Sequence, residues 1–298
     1  MAPSSFLLRL LLLPSTLLPV LASLIQTPQL PGLLFNLSTP RPADIVQSLP
    51  TVPDNCAKYT GAAKECPTTM SAVDVTYDDC GSPWTICRCA SANITLDASV
   101  DFLAHVPVGL RRYVGTVMVM PDTSAHAYTL NSDIHFFGIC SQRTWIHEST
   151  HAADGALGIT RGGINGTPWA QAVGNDTCVP DTYAATNLVE DLAQMSVVEV
   201  YRLLNNTLPP GLSADCMSHQ LAYLATLPLY NASTLFGDTC AFEPQLASAL
   251  HDLVPVASSP TLQGSSSASQ TPKPSGADGA TRQIGFGVIL SLLISFAV

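Results

Sequence analysis

The chain has 298 residues, 22 acidic against 12 basic side chains and a formal charge of -10. That balance, with no Lys/Arg-rich run, excludes a nucleic-acid-binding surface built on basic patches. The positive mean hydropathy of +0.27 is carried by two apolar ends and is no evidence for a membrane domain.

Residues 1–22 place Arg9 inside a Leu-rich run and end in Val20-Leu21-Ala22, which reads as a secretory signal. Residues 23–55 are punctuated by proline and show no sustained period, so an extended lead-in is expected. The only dibasic pair, Arg111-Arg112, falls inside the next unit, which leaves no dibasic processing site upstream. That unit, residues 56–254, opens at the first cysteine and is large enough for one buried core.

Secretion is supported by six N-x-S/T triplets, at Asn36, Asn93, Asn165, Asn175, Asn205 and Asn231. Nine cysteines all follow the signal, and an oxidising compartment would allow four bridges and one odd thiol. Cys80, Cys87 and Cys89 lack a C-x-x-C pair and are expected to be bridged instead of binding metal. Cys140 is expected to form a disulfide that anchors the start of a helix.

Strand-forming runs occur at Val73 to Tyr77, Val114 to Met120 and Tyr128 to Phe137, predicting a small sheet. A helix follows from about Gln142 to Asp154, capped by Ser141 and stopped by Gly155. It carries His147, Glu148 and His151 as H-E-x-x-H. The four-residue spacing turns both histidines to one face, where they could share a zinc ion, with Glu148 beside a metal-bound water. Random matches to this motif are expected only roughly 0.003 times in a chain of this composition.

A second helix is predicted over Leu188 to Leu204, with Asn187 and Glu190 spaced as a capping box. A catalytic zinc usually takes three protein ligands. Glu190 could supply the third from this separate element, with Asp191 as a competitor. Asp154 is better suited to orienting a ligand or ending the helix. Cys216 to Leu224 and Gln245 to Leu253 are further candidate helices. Residues 255–275 turn to Ser, Thr and Pro, as in a solvated stalk. Residues 276–298, ending in an apolar tail too short to span a bilayer, resemble a removable glycosylphosphatidylinositol (GPI) anchor signal, with attachment at Ser275 or Gly276.

HESTHAADG and TYAATNLVEDLAQ resemble the two active-site segments of the anthrax lethal-factor catalytic-domain family of gluzincin peptidases. Tyr183, Thr186, Asn187, Glu190 and Ala193 match the second pattern in register, while Asp191 and Gln194 depart from it. The resemblance implies a zincin-like α+β fold, with an H-E-x-x-H helix below the sheet and a helical second lobe. It makes His147, His151 and Glu190 zinc ligands, Glu148 the general base and Tyr183 an oxyanion donor. It also implies a secreted, surface-anchored endopeptidase whose edge strand, within Tyr128 to Phe137, pairs with a peptide or protein substrate. More loosely, the anchor stalk and sequons resemble conidiation-specific or wall-associated peptidases of fungi. The alternative function is a non-catalytic zinc-binding or structural cell-wall glycoprotein with no need of turnover.

Overall fold

A computed structural model describes residues 27–28, 30, 37, 39–161, 166–237 and 240. The secretory signal, the stalk, the anchor signal with Ser275 and Gly276, the helix expected at Gln245 to Leu253, and the sequons Asn36 and Asn165 lie outside these residues. The first half of the chain runs β1 (Thr27–Pro28), β2 (Asp44–Ser48), α1 (Asp54–Ala57), β3 (Met70–Tyr77), β4 (Trp84–Cys89), α2 (Leu96–Ala104) and α3 (Val108–Arg111). It continues through β5 (Val117–Met120), β6 (His126–Leu130), β7 (Asp133–Phe137) and α4 (Gln142–Leu157). Then come α5 (Pro168–Asn175), β8 (Cys178–Val179), α6 (Leu188–Asn205), α7 (Ser218–Thr226) and α8 (Ala232–Leu235).

The architecture is α+β around a mixed sheet of order β2-β3-β4-β5-β7-β6. Strands β2, β3 and β4 pair antiparallel, β4-β5 and β5-β7 pair parallel, and β6 returns against β7 as a hairpin edge. The hairpin turns through Asn131 and Ser132, whose φ of 51° and 72° give the two left-handed residues that match strand twist in a tight turn. The stretch expected as a lead-in contains β2, so the sheet's other edge is drawn from residues before Cys56.

Central β5 is apolar at every position because both its faces are covered. Val117 and Val119 join the main core under the helices, while Met118 and Met120 face a second cluster with the Cys56–Cys87 and Cys66–Cys89 bridges. On the helical side, Trp145 of α4 is fully buried and stacks on Phe136 of β7 at 3.8 Å and on Phe102 of α2 at 5.4 Å. This aromatic stack seats the H-E-x-x-H helix on the sheet. Arg111 is likewise fully buried, stacked on Tyr77 and Trp84 and paired with Asp79, so the first residue of the dibasic pair is a core element.

Four disulfides are present, adding Cys80–Cys240 and Cys178–Cys216 to the two above. Cys80, Cys87 and Cys89 each bridge a different partner. Cys140 does not. It is buried as a free thiol, donating to the carbonyls of His126 and Phe137, and burial pushes it up to about 11. The expected disulfide at the start of α4 is therefore replaced by a thiol whose one S–H is shared between two carbonyls of the β6-β7 hairpin. Helix α4 also outruns its expected end, passing Gly155 and stopping where Gly158 takes φ 69° and donates to the Asp154 carbonyl.

Glu65 fastens the disulfide-rich layer to the sheet. It accepts from Tyr128 Oη at 2.6 Å and lies 2.6 Å from Nδ1 of fully buried His135. Burial alone would raise this carboxyl, but hydrogen bonds from His135 and Tyr128 outweigh it and hold the group below its ordinary value. Stabilisation from Glu65 is then complete above the carboxylate range and lost as pH falls through it. Glu65→Gln should be less stable than the parent at pH 7, with the difference shrinking as pH falls below the ordinary glutamate value of about 4.3 and on through the lowered folded one, measured by urea unfolding across pH.

Candidate metal centre

Helices α4 and α6 pack against each other and bring three donor atoms together. His147 Nε2 lies 3.1 Å from Glu190 Oε2 and 3.0 Å from His151 Nε2, and His151 Nε2 lies 3.2 Å from Glu190 Oε2. These separations approach the edge of a tetrahedron whose bonds are those of zinc to nitrogen and oxygen, about 3.3 Å. The side chains are 7%, 16% and 11% exposed, so the cluster is largely closed to solvent.

The tautomer of His147 is set from behind. Asp181 Oδ2 accepts from Gln194 Nε2 at 2.6 Å, which turns the other end of that amide, Oε1, toward His147 Nδ1 at 3.0 Å. An amide oxygen can only accept, so Nδ1 carries the proton and Nε2 presents a lone pair to the cluster. Burial would raise the Glu190 carboxyl, yet the two facing imidazoles, His147 and then His151, outweigh it and hold the group well below the usual carboxylate range. A lone pair and a carboxylate oxygen facing each other at 3.1 Å need a shared proton or cation. The donor set, two imidazoles and one carboxylate, is one that zinc accepts.

Glu148 sits beside this group, within 4.8 Å of both histidines by its nearest ligand atoms, but it is engaged elsewhere. Thr129 of edge strand β6 donates to Glu148 Oε2 at 2.8 Å, leaving the other oxygen without a described partner. Tyr183 stands over the cluster with its ring 5.6 Å from that of His147, and burial followed by the charges of Glu190 and Glu148 keeps its phenol protonated.

The remaining candidates are placed apart. Asp154 accepts from Thr160 N and Oγ1, closing the turn after α4. Asp191 is fully buried, makes no hydrogen bond among the described residues, and is pushed up to about 8 by burial and then by Asp176 and Asp181. It orients neither histidine. That task belongs to Asp181 and Gln194, which the sequence reading missed. Gln194 lies one helical turn beyond Glu190 on the same face of α6, a usable signal. Asp181 also holds the backbone N–H groups of Tyr183 and Ala184. Asn187 caps α6 through Val189 N and Glu190 N, but the Glu190 side chain turns to the histidines instead of closing a capping box. Asn93, Asn175, Asn205 and Asn231 are exposed, as glycan attachment requires.

The family model described as conidiation-specific protein Con-13 matches residues 29–228. Conidiation-specific protein 13 of Neurospora crassa is 32% identical over 172 residues, covering 55% of this chain and 50% of that protein. The chain thus spans about half the length of the curated relative it matches. No solved structure matches the chain. These findings correct the gluzincin reading. The likeness to lethal-factor peptidases rests on two short segments, whereas the matching family extends over 200 residues and is described by conidiation, with nothing of proteolysis in its name. The surface-anchored endopeptidase expected from those segments falls with it, and the looser likeness to conidiation-specific proteins is retained without its peptidase part.

Proposed function

The chain belongs to the family of conidiation-specific protein Con-13, and from that premise we propose a non-catalytic, zinc-binding glycoprotein of the fungal cell surface. His147, His151 and Glu190 would hold the ion. The observation that carries this reading is the convergence of three donor atoms within 3.2 Å, with Asp181 and Gln194 fixing the lone pair of His147 toward them. Two neutral imidazoles with the Glu190 and Glu148 carboxylates would offset a divalent charge, which suits a closed site. When bound, zinc supplies a cross-link between α4 and α6. Glu148 then acts as a balancing charge held by Thr129, and Tyr183 as a lid over His147. An H-E-x-x-H helix on a mixed sheet, closed by a carboxylate from a second helix, is zincin-like in our reading, used here for retention of metal.

Four disulfides and exposed sequons fit passage through an oxidising secretory route. We place the protein at the cell wall through a GPI lipid anchored near Ser275 or Gly276. The test is metal analysis of the secreted glycoprotein beside its Glu148→Gln variant, together with incubation of both in a diverse peptide mixture. One zinc per chain in both, and no new peptide termini from either, is the expected result. Cleavage by the parent alone would overturn the non-catalytic role. A parent without stoichiometric zinc would leave a purely structural wall glycoprotein.

A further inference from the structure

A second site lies at the far end of α4, about 9 Å along the helix from His151 at 1.5 Å per residue. Here the ends of α3, α4 and α7 and the start of α5 enclose a cavity of about 390 Å³, within the range of small-molecule sites. Leu157, Ile159, Leu227 and the ring of Tyr223 make its walls apolar. Two arginines break that character. Arg112 is half-buried, stacks on Tyr113 at 4.9 Å and donates from Nη2 to the Tyr113 hydroxyl, while its Nε is buried with no hydrogen-bond partner. Arg161 is exposed and lines the same cavity.

Neither guanidinium has a carboxylate within ion-pair distance among the described residues, although the chain carries 22 acids against 12 bases. Asp154, the acid that acts on Tyr223, is already committed to Thr160 through two hydrogen bonds. Helix α5 adds the positive end of its dipole, since Thr167 and Pro168 line the same cavity. Nε of Arg112 is closed to solvent, so it is the terminal guanidinium nitrogens, whose charge no carboxylate offsets, that a ligand in the cavity can meet. Two cationic side chains without a carboxylate favour an anion in this cavity, and the walls favour an apolar body.

We propose that this cavity binds a small anionic amphiphile, a carboxylate on a medium-length aliphatic chain, with the carboxylate on Arg112 and Arg161 and the chain against Leu157, Ile159 and Leu227. The proposal is independent of the metal centre. Arginine is suited to the headgroup because its planar donor pair matches a carboxylate.

Isothermal titration of the intact glycoprotein with decanoate, below its micelle concentration, tests this against decan-1-ol and acetate. Decanoate should bind once per chain and at least tenfold more tightly than either comparator, and Arg112→Gln should abolish its preference over decanol. If Arg112→Gln fails to fold, Arg161→Gln serves, because an exposed side chain can be exchanged without disturbing the core; it should cut the preference at least threefold. Equal binding of decanoate and decanol, no saturable binding of decanoate, or a preference unchanged in these variants would overturn the proposal.

Discussion

On the zinc-binding proposal, His147→Ala should leave the protein without zinc and lower its thermal midpoint by roughly 5–10 °C relative to the zinc-loaded parent. The magnitude follows from linkage. A ligand present at 100 times its dissociation constant stabilises the folded state by about 2.7 kcal/mol, and a domain of this size shifts by roughly 2–4 °C per kcal/mol. His147 is the most consequential ligand to remove, because its Nε2 touches both other donors and its Nδ1 is the end point of the Asp181–Gln194 relay. Calorimetry of parent and variant, each with zinc and with chelator, separates the two contributions to the shift. Chelation should lower the parent and leave the variant where it was. Full zinc occupancy in His147→Ala would remove His147 from the ligand set, and an unresponsive parent would remove zinc from the account of stability.

The elements that could be read from the sequence are those whose local pattern is also their tertiary role. Helix α6 begins at Asn187 because that side chain satisfies the first backbone donors, a signal independent of the rest of the fold. Strand β5 could be read because a strand covered on both faces must be apolar throughout. Strand β4 was passed over because its two cysteines read as a bridge cluster, although Trp84, Ile86, Cys87 and Cys89 are all buried sheet residues. Helices α2 and α5 are short, nine and eight residues, so the capping signals Thr95 and Thr167 open too few turns for a helical period to stand out in the sequence.

Cys140 shows the limit of compartment arguments. Oxidation favours bridges in general, but a bridge needs a second cysteine within reach, which is a property of the folded chain. At the metal centre, H-E-x-x-H spacing places two histidines on one face by helix geometry alone. Asp181 reaches Gln194 only because the segment after β8 folds back over α6, and no spacing rule encodes that return. The family assignment failed for a related reason: two segments constrain the chemistry of a cluster far more than they constrain ancestry.

Replacing Cys178 and Cys216 together by serine should cost about 4 kcal/mol of stability, from the chain entropy of opening a loop of this length, yet leave zinc bound. The two cysteines are 38 residues apart, and their bridge joins β8 to the segment entering α7. Asp181 and Tyr183 follow β8 directly, so the bridge would be their anchor if nothing else held the segment. Other contacts hold that segment: Asp176 accepts from His219 N and Gln220 N, Gln220 donates to the Cys178 carbonyl, and Asp181 binds the backbone of Tyr183 and Ala184. None of these uses a sulfur atom. The thermal midpoint should therefore fall by roughly 10 °C, with metal analysis still returning one zinc per chain at 25 °C. Loss of zinc below the midpoint would mean that the bridge positions Asp181, making the disulfide part of the metal centre. An unchanged midpoint would mean that the unfolded chain gains little freedom when the bridge is removed. Together with His147→Ala, which removes the ion while all four bridges remain, the pair of variants separates what holds the fold from what holds the metal.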